Sequence, residues 1–233
     1  MKLLALDSSA KSASCAVMTQ EGQLLGESFS NNGYTHSKTL IPMVEQLLTI
    51  LGLELKDIDC YAVCEGPGSF TGVRIGVAAA KGMAFAGEKP CIGISSLLGA
   101  AYNAEGFSGI ICPVMDARRE QVYNALFDNT HAKMERMCED RVIAVEELGE
   151  ALRGQEKPVL LVGDGAQLCY SVFCAMGVKA SIIPMKDRLI RGSSVALAAL
   201  AKLQQGEAVT GDALLPVYLR PSQAEREYEE KNK

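Results

Sequence analysis

Four loops in this sequence combine glycines, hydroxyls and carboxylates in ways that could hold an anion or a cation. They are Asp7-Ser8-Ser9, Glu65-Gly66-Pro67-Gly68-Ser69-Phe70-Thr71-Gly72, Asp116-Ala117-Arg118-Arg119 and Gly163-Asp164-Gly165-Ala166. Small hydroxyl residues beside free backbone N–H groups suit a phosphate. The same residues are ordinary turn formers, so both readings of the aspartate turns stand at this stage. The glycine-rich segment lacks the Gly-Lys-Ser/Thr of a P-loop and the spacing of a dinucleotide fingerprint. It reads either as a strand-to-helix turn, with Ser69 or Thr71 as the cap, or as a phosphate cradle.

Nothing else offers a local catalytic set. The two histidines, His36 and His131, have no companion at metal-ligand spacing. His36 opens a helix and His131 follows Asn129-Thr130, so each reads as a cap or surface residue. The eight cysteines are expected to be reduced and buried. Cys60 and Cys64, the nearest pair, share one face of an apolar run with no second pair to complete a zinc site. No metal is assigned, and no Ser/His/Asp or Cys/His arrangement emerges.

These loops must be positioned by the elements around them. A buried strand, 3–6, ends in Asp7, followed by strands near 14–19 and 23–29 and a helix over 37–51. A strand at 60–64 feeds the glycine-rich loop and a helix over 71–86, then a short strand at 91–94 and a helical stretch. The second half repeats that order. A strand over 110–115 ends in Asp116, with strands over 121–127 and near 134–138 and a helix over 145–152. A strand at 159–162 precedes the Gly163 loop and a helix over 167–176, then a strand at 180–183 and a last helix over 194–204. A duplicated strand-Asp-hairpin unit followed by alternating helices and strands predicts two ribonuclease-H-like lobes, the α/β actin-like ATPase fold. The alternative is one doubly wound sheet, but such sheets do not open on three consecutive strands. The expected division is 1–105, then 106–221 with its last helix able to pack back on the first lobe, then an acidic tail, 222–233.

Two helices carry more apolar surface than one sheet face needs. The helix over 37–51 spreads Leu40, Val44, Leu47, Leu48 and Leu51 with other apolar residues over half its circumference. In the next, Val73, Val77, Ala80 and Ala84 form one face and Ile75, Ala79, Gly82 and Ala86 the opposite one, with Arg74 in the polar stripe. The second face is covered either by the other lobe or by another molecule, through an intermolecular helix bundle.

Charge and hydropathy narrow the classes. With 48% hydrophobic residues the chain can build real cores, and no apolar run nears the length needed to span a bilayer. Asp7 interrupts the opening apolar run too early for a signal peptide, so a cytoplasmic protein is expected. A net charge of −5 disfavours autonomous nucleic-acid binding, though a partner could supply a basic surface.

The segment Glu65 to Gly76, with Leu4-Ala5-Leu6-Asp7-Ser8-Ser9, His36-Ser37, Met115 to Arg119 and Pro216-Val217-Tyr218-Leu219-Arg220-Pro221, resembles the bacterial TsaB (YeaZ) family over nearly the whole chain. That resemblance implies an actin-like fold and a role in forming threonylcarbamoyladenosine beside the anticodon of tRNAs that read codons beginning with A. It implies a non-catalytic scaffold for TsaD, which holds the metal and transfers the group, with the ATPase TsaE joining them. ATP and metal belong to the complex, and tRNA is met only through it. The interface would use the helices at 37–51 and 71–86, including His36 and Arg74, which would also serve a homodimer. The loops at Asp7, Asp116 and Gly163 to Gly165 would then be vestigial nucleotide loops. TsaD-like chains carry His-x-x-x-His where this one reads Ile94-Ser95-Ser96-Leu97-Leu98-Gly99-Ala100, so an imidazole-based metal site cannot form there. The alternative is an ATPase or small-molecule kinase using Asp7, Ser8, Ser9, Asp116 and the Gly163 loop. A protease reading, from an older description of TsaD, is opposed by the same missing histidines.

Overall fold

A computed structural model of the chain describes residues 1–131 and 133–221; the acidic tail expected at 222–233 lies outside them. Two separate five-stranded sheets form, which removes the single doubly wound sheet. The first contains β1 (Lys2–Asp7), β2 (Ala13–Thr19), β3 (Leu24–Ser30), β4 (Cys60–Gly66) and β5 (Cys91–Ser95), in the order β3-β2-β1-β4-β5. The second contains β6 (Ile110–Asp116), β7 (Gln121–Asp128), β8 (Glu135–Ala144), β9 (Val159–Val162) and β10 (Ser181–Ile182), in the order β10-β9-β6-β7-β8. Read from the hairpin edge, the two orders are identical. In each, the first strand pairs antiparallel with the second and parallel with the fourth.

The helices repeat as well: α1 (His36–Leu51), α2 (Phe70–Gly87) and α3 (Ser96–Tyr102) in the first half, α4 (Val145–Leu152), α5 (Ala166–Ala175) and α6 (Gly192–Leu203) in the second. β1 is apolar without alternation because both faces are covered: Leu4 and Leu6 meet α1 and α2, while Leu3 and Ala5 meet the layer of α3 and α6. Leu40, Val44, Leu47 and Leu48 of α1 point into the sheet, and each contributes about 2 kcal/mol by burial. Gly26 of β3 leaves room for them, since a Cβ there would lie 3.0 Å from Leu47 Cδ1. α1 ends at Gly52, whose φ of 65° gives a left-handed cap.

The largest departure from expectation is β8. It runs to Ala144, well past 138, and its sequence, ERMCEDRVIA, is largely polar. A charged edge strand hides from apolar pattern reading while protecting the sheet edge. α6 lies against β1 and β2, and a Cβ on its Gly192 would come within 2.5 Å of the Cys15 carbonyl carbon. One core cluster accordingly contains Ala62 and Ile94 of the first sheet, Leu97 of α3, Val195 of α6, and Ile111 and Phe127 of the second sheet. The lobes share this core rather than meeting at a hinge. Among the described residues no helix is long and apolar enough to cross a membrane.

Candidate functional site: the interlobe cleft and the outer face of α2

The glycine-rich loop is packed against the first aspartate turn, with no space left between them. A Cβ on Gly68 would fall 2.2 Å from the Ser9 carbonyl oxygen, and one on Gly72 would fall 2.1 Å from that of Ser8. One on Gly66, whose φ is 122°, would fall 2.1 Å from the carbonyl oxygen of Val217. The glycines are there to let backbones touch. The Ser69 N–H donates to the Ser9 carbonyl at 2.7 Å, and Ser69 Oγ caps α2 by accepting from the Gly72 N–H at 3.3 Å. Ser69, not Thr71, is therefore the cap. Phe70 and Thr71 open the helix, and Pro67 sits between Gly66 and Gly68 at its approach.

The first aspartate turn lies beneath this loop and is closed to solvent. Asp7, Ser8 and Ser9 are 0%, 1% and 0% exposed beneath the α2 entrance, and of the three Ser9 alone borders the cleft. Ser8 Oγ donates to the Gly72 carbonyl at 2.8 Å. Asp7 Oδ1 accepts from Ser9 Oγ at 2.6 Å and from the Ser9 N–H at 3.0 Å, whereas Oδ2 has no hydrogen-bond partner. Burial pushes the Asp7 carboxyl above its ordinary range, against the lowering effect of Ser9 and, more weakly, of Cys64 and His36. The neighbouring Cys64 thiol is pushed well up by burial and by the Asp7 charge. His36 Nε2 lies 2.8 Å from the Ala10 carbonyl, pinning the start of α1 to this turn.

Above it lies a cleft of about 410 Å³ between the lobes, lined by Ser9, Lys11, Phe70, Asp116, Arg118, Asp164, Tyr218 and Arg220 among others. The second-lobe loops meet here. Asp164 Oδ1 accepts from the Asp116 N–H at 3.0 Å, and its Oδ2 faces Lys11 of the first lobe at 3.6 Å. Asp116 accepts from the Arg118 N–H at 2.8 Å. Gly163 has a structural cause: its φ is 108°, and a Cβ would fall 2.2 Å from the Val114 carbonyl oxygen. Gly165 donates its N–H to that same carbonyl at 3.1 Å.

The C-terminal segment around Pro216–Pro221, to which sequence reading gave no role, straps the site together. The Val217 N–H donates to the Glu65 carbonyl at 2.7 Å. The Tyr218 ring stacks on Phe70 with centroids 4.7 Å apart, Arg74 lies 3.9 Å over Phe70, and Arg74 Nε donates to Tyr218 Oη at 2.8 Å. Arg220 then donates to the Ala117 carbonyl at 2.6 Å in the other lobe.

The expected interface divides. Leu40, Val44, Leu47 and Leu48 are core residues, 0–5% exposed, and so cannot meet another molecule. Leu51 is half-buried against Gly26. The sheet has taken the inner stripe of α1, leaving Ile41 and Ile50 outside. On α2 the outer face stays open: Ile75 and Ala79 are half-buried, while Gly82, Ala86 and the neighbouring Phe85 are exposed. Gly211–Ala213 of the second half packs on α2 beside it, at Lys81 and Ala84, and leaves Gly82 and Ala86 exposed. In the Ser95–Ala100 stretch, Ser95 Oγ donates to Asp140 Oδ2 at 2.5 Å and caps α3, and Gly99 packs near Cys64. Among the described residues, no group of three or more His, Cys, Asp or Glu side chains could hold a metal ion.

Comparison with known proteins places this architecture among relatives. Residues 30–228 match the family model of TsaD, tRNA N6-adenosine threonylcarbamoyltransferase. The tRNA threonylcarbamoyladenosine biosynthesis protein TsaB of Bacillus subtilis is 32% identical, over 100% of both chains. The solved structure of YeaZ from Pseudomonas aeruginosa superimposes with a TM-score of 0.79 at 26% identity, covering 94% of this chain and 99% of the other. Ethanolamine utilization protein EutJ from Carboxydothermus hydrogenoformans, at 15% identity and a TM-score of 0.53 over 84% of this chain and 90% of its own, shares the fold alone.

Proposed function

As this chain belongs to the TsaB family, related to the threonylcarbamoyltransferases named TsaD, we propose that it is the non-catalytic partner of TsaD in forming N6-threonylcarbamoyladenosine on tRNAs that read codons beginning with A. The transfer chemistry, the metal and the use of ATP then belong to TsaD and the ATPase TsaE, and this chain supplies a docking surface. The observation that carries the reading is the apolar strip on α2 in which Ile75 and Ala79 are half-buried against the first-lobe core and Gly82, Phe85 and Ala86 are exposed. A helix buried on one face by its own sheet and apolar on the other needs a second helix, and Gly82, with open space around its Cα, admits close approach. The same strip would serve a homodimer when TsaD is absent. The Ser95–Ala100 stretch without histidine supports assigning the metal chemistry elsewhere.

The test is copurification with TsaD, followed by tRNA modification with and without this chain. Gly82→Glu combined with Ala86→Glu places two charges on exposed positions, so the chain is expected to fold normally and to lose TsaD binding at least tenfold, equivalent to about 1.4 kcal/mol. Full modification by TsaD and TsaE alone, or tight binding and turnover of magnesium-ATP by the isolated chain, would overturn the assignment.

A further inference from the structure

We propose that the mouth of the interlobe cleft contacts the phosphodiester backbone of the tRNA while the complex holds it. This rests on the function proposed above and adds a direct RNA contact to it. The first observation is where the exposed cations lie. Although the chain as a whole is acidic, the side chains of Lys11 and Arg118 stand on opposite lips of the cleft and are 59% and 82% exposed. Each lies 3.6 Å from an aspartate of the same cleft, Asp164 or Asp116, whose side chain is only 10% or 26% exposed, so the pairs are loose and a phosphate would compete with these carboxylates for the two cations.

The second observation is the backbone that presents Arg118. Arg118, Arg119 and Glu120 have φ of 66°, 55° and 56°, three consecutive non-glycine residues in the left-handed region. Such a run costs about 1–2 kcal/mol per residue and survives only where surrounding contacts impose it. They do so here: Arg220 of the strap donates to the Ala117 carbonyl, and Asp116 accepts from the Arg118 N–H. The turn is thus held in a costly shape that projects a guanidinium from the lip.

The third observation is the aromatic pair on the facing lip. Phe70 and Tyr218, stacked and flanked by Arg74, form a partly exposed platform beside the cationic strip. A groove with cations along it and aromatic rings at its side is the arrangement that tracks a nucleic-acid strand.

The deeper geometry sets the floor of the cleft. The inner turn Asp7-Ser8 is buried, and the α2 entrance is filled by Ser69 and by the Ser8 and Ser9 carbonyls. What remains accessible is the cleft of about 410 Å³ above that turn, bordered by Lys11, Arg118 and Tyr218, along which an extended backbone can lie.

The experiment uses the complex of this chain with TsaD and an unmodified tRNA transcript, with binding read by fluorescence anisotropy across a salt series. In Lys11→Ala/Arg118→Ala, tRNA affinity is expected to fall on the order of tenfold. The slope of log K against log salt should become shallower by about 2, one unit per lost phosphate contact. Light scattering reads TsaD binding separately: if wild-type chain and TsaD do not associate, the function proposed above fails, whereas the present inference is tested only on an intact complex. Unchanged tRNA affinity and salt slope in an intact variant complex would overturn it. So would a variant that loses ATP binding while keeping tRNA binding, because the lip would then serve a nucleotide.

Discussion

Replacing Gly72 by alanine is expected to lower the stability of the chain by about 3 kcal/mol, the upper part of the range for forcing a methyl group into filled space. The new Cβ would sit 2.1 Å from the Ser8 carbonyl oxygen, a backbone atom that cannot step aside without moving the buried Asp7 turn. Alanine is the better helix former, and that gain of about 1 kcal/mol is too small to compensate. For a chain of this size the melting temperature should drop by roughly 6–12 °C. Gly82→Ala is the internal control on the same helix. With nothing within 4 Å of its Cβ, it should gain about 0.5–1 kcal/mol and melt slightly higher. Equal effects of the two substitutions would mean that the loop can relax away from Ser8, and the reading of its glycines as close-approach residues would fail.

That contrast shows what local sequence carried and what it did not. The duplicated order of elements was legible because hairpins, apolar runs and glycine turns are short-range signals, and they recur in the same succession in both halves. The partition of α1 was not. A helix apolar over half its circumference has no written instruction for which part the sheet takes, so Leu40, Val44, Leu47 and Leu48 fitted an interface as well as a core. A charge at Leu47 would therefore unfold the chain rather than test a partner. On α2 the small residues on both sides marked a face that stays partly exposed, because Gly and Ala cannot fill a core by themselves.

The cleft was legible only in pieces. Asp7, Asp116 and the Gly163 loop were marked as a set, but the contacts that organise them join distant residues. Arg74 reaches Tyr218 across 144 positions and Arg220 reaches Ala117 across 103, separations at which no periodicity survives. Burial of the Asp7 turn was likewise unreadable, since it follows from Gly68, Gly72 and Gly76 admitting the turn, and a glycine in sequence does not say whether it approaches a phosphate or a carbonyl. The resemblance supplied the family and its partner. The coordinates supplied the reason that the first phosphate-type turn is closed.

Asp7→Asn is expected to stabilise the protein at neutral pH and to flatten part of its pH dependence. The carboxyl is 0% exposed, and the interactions with Ser9 and Cys64 offset only part of the desolvation cost of its charged form. Burial raises the folded-state pKa above the unfolded value near 3.8, against the lowering influences of Ser9, Cys64 and His36. Between the unfolded and folded pKa values the native state binds more protons than the unfolded chain, so stability from this group falls as pH rises through that window. It stays at its reduced level above the folded pKa. Asparagine keeps an oxygen to accept both Ser9 hydrogen bonds and removes the charge, but its amide brings two donors to the Oδ2 position, so the gain at neutral pH should be only about 1 kcal/mol. Glu27 works in the opposite sense. Burial raises its pKa, but the Arg191 and Ser193 hydrogen bonds outweigh that and leave it lowered, so its contribution is lost as pH falls. Comparing wild type with Asp7→Asn by denaturant titration from pH 4 to pH 8 cancels Glu27 and isolates Asp7. The difference should be small at the acid end and grow with pH. A variant less stable than wild type throughout would show instead that the charged carboxylate, held by Ser9, is what the fold requires.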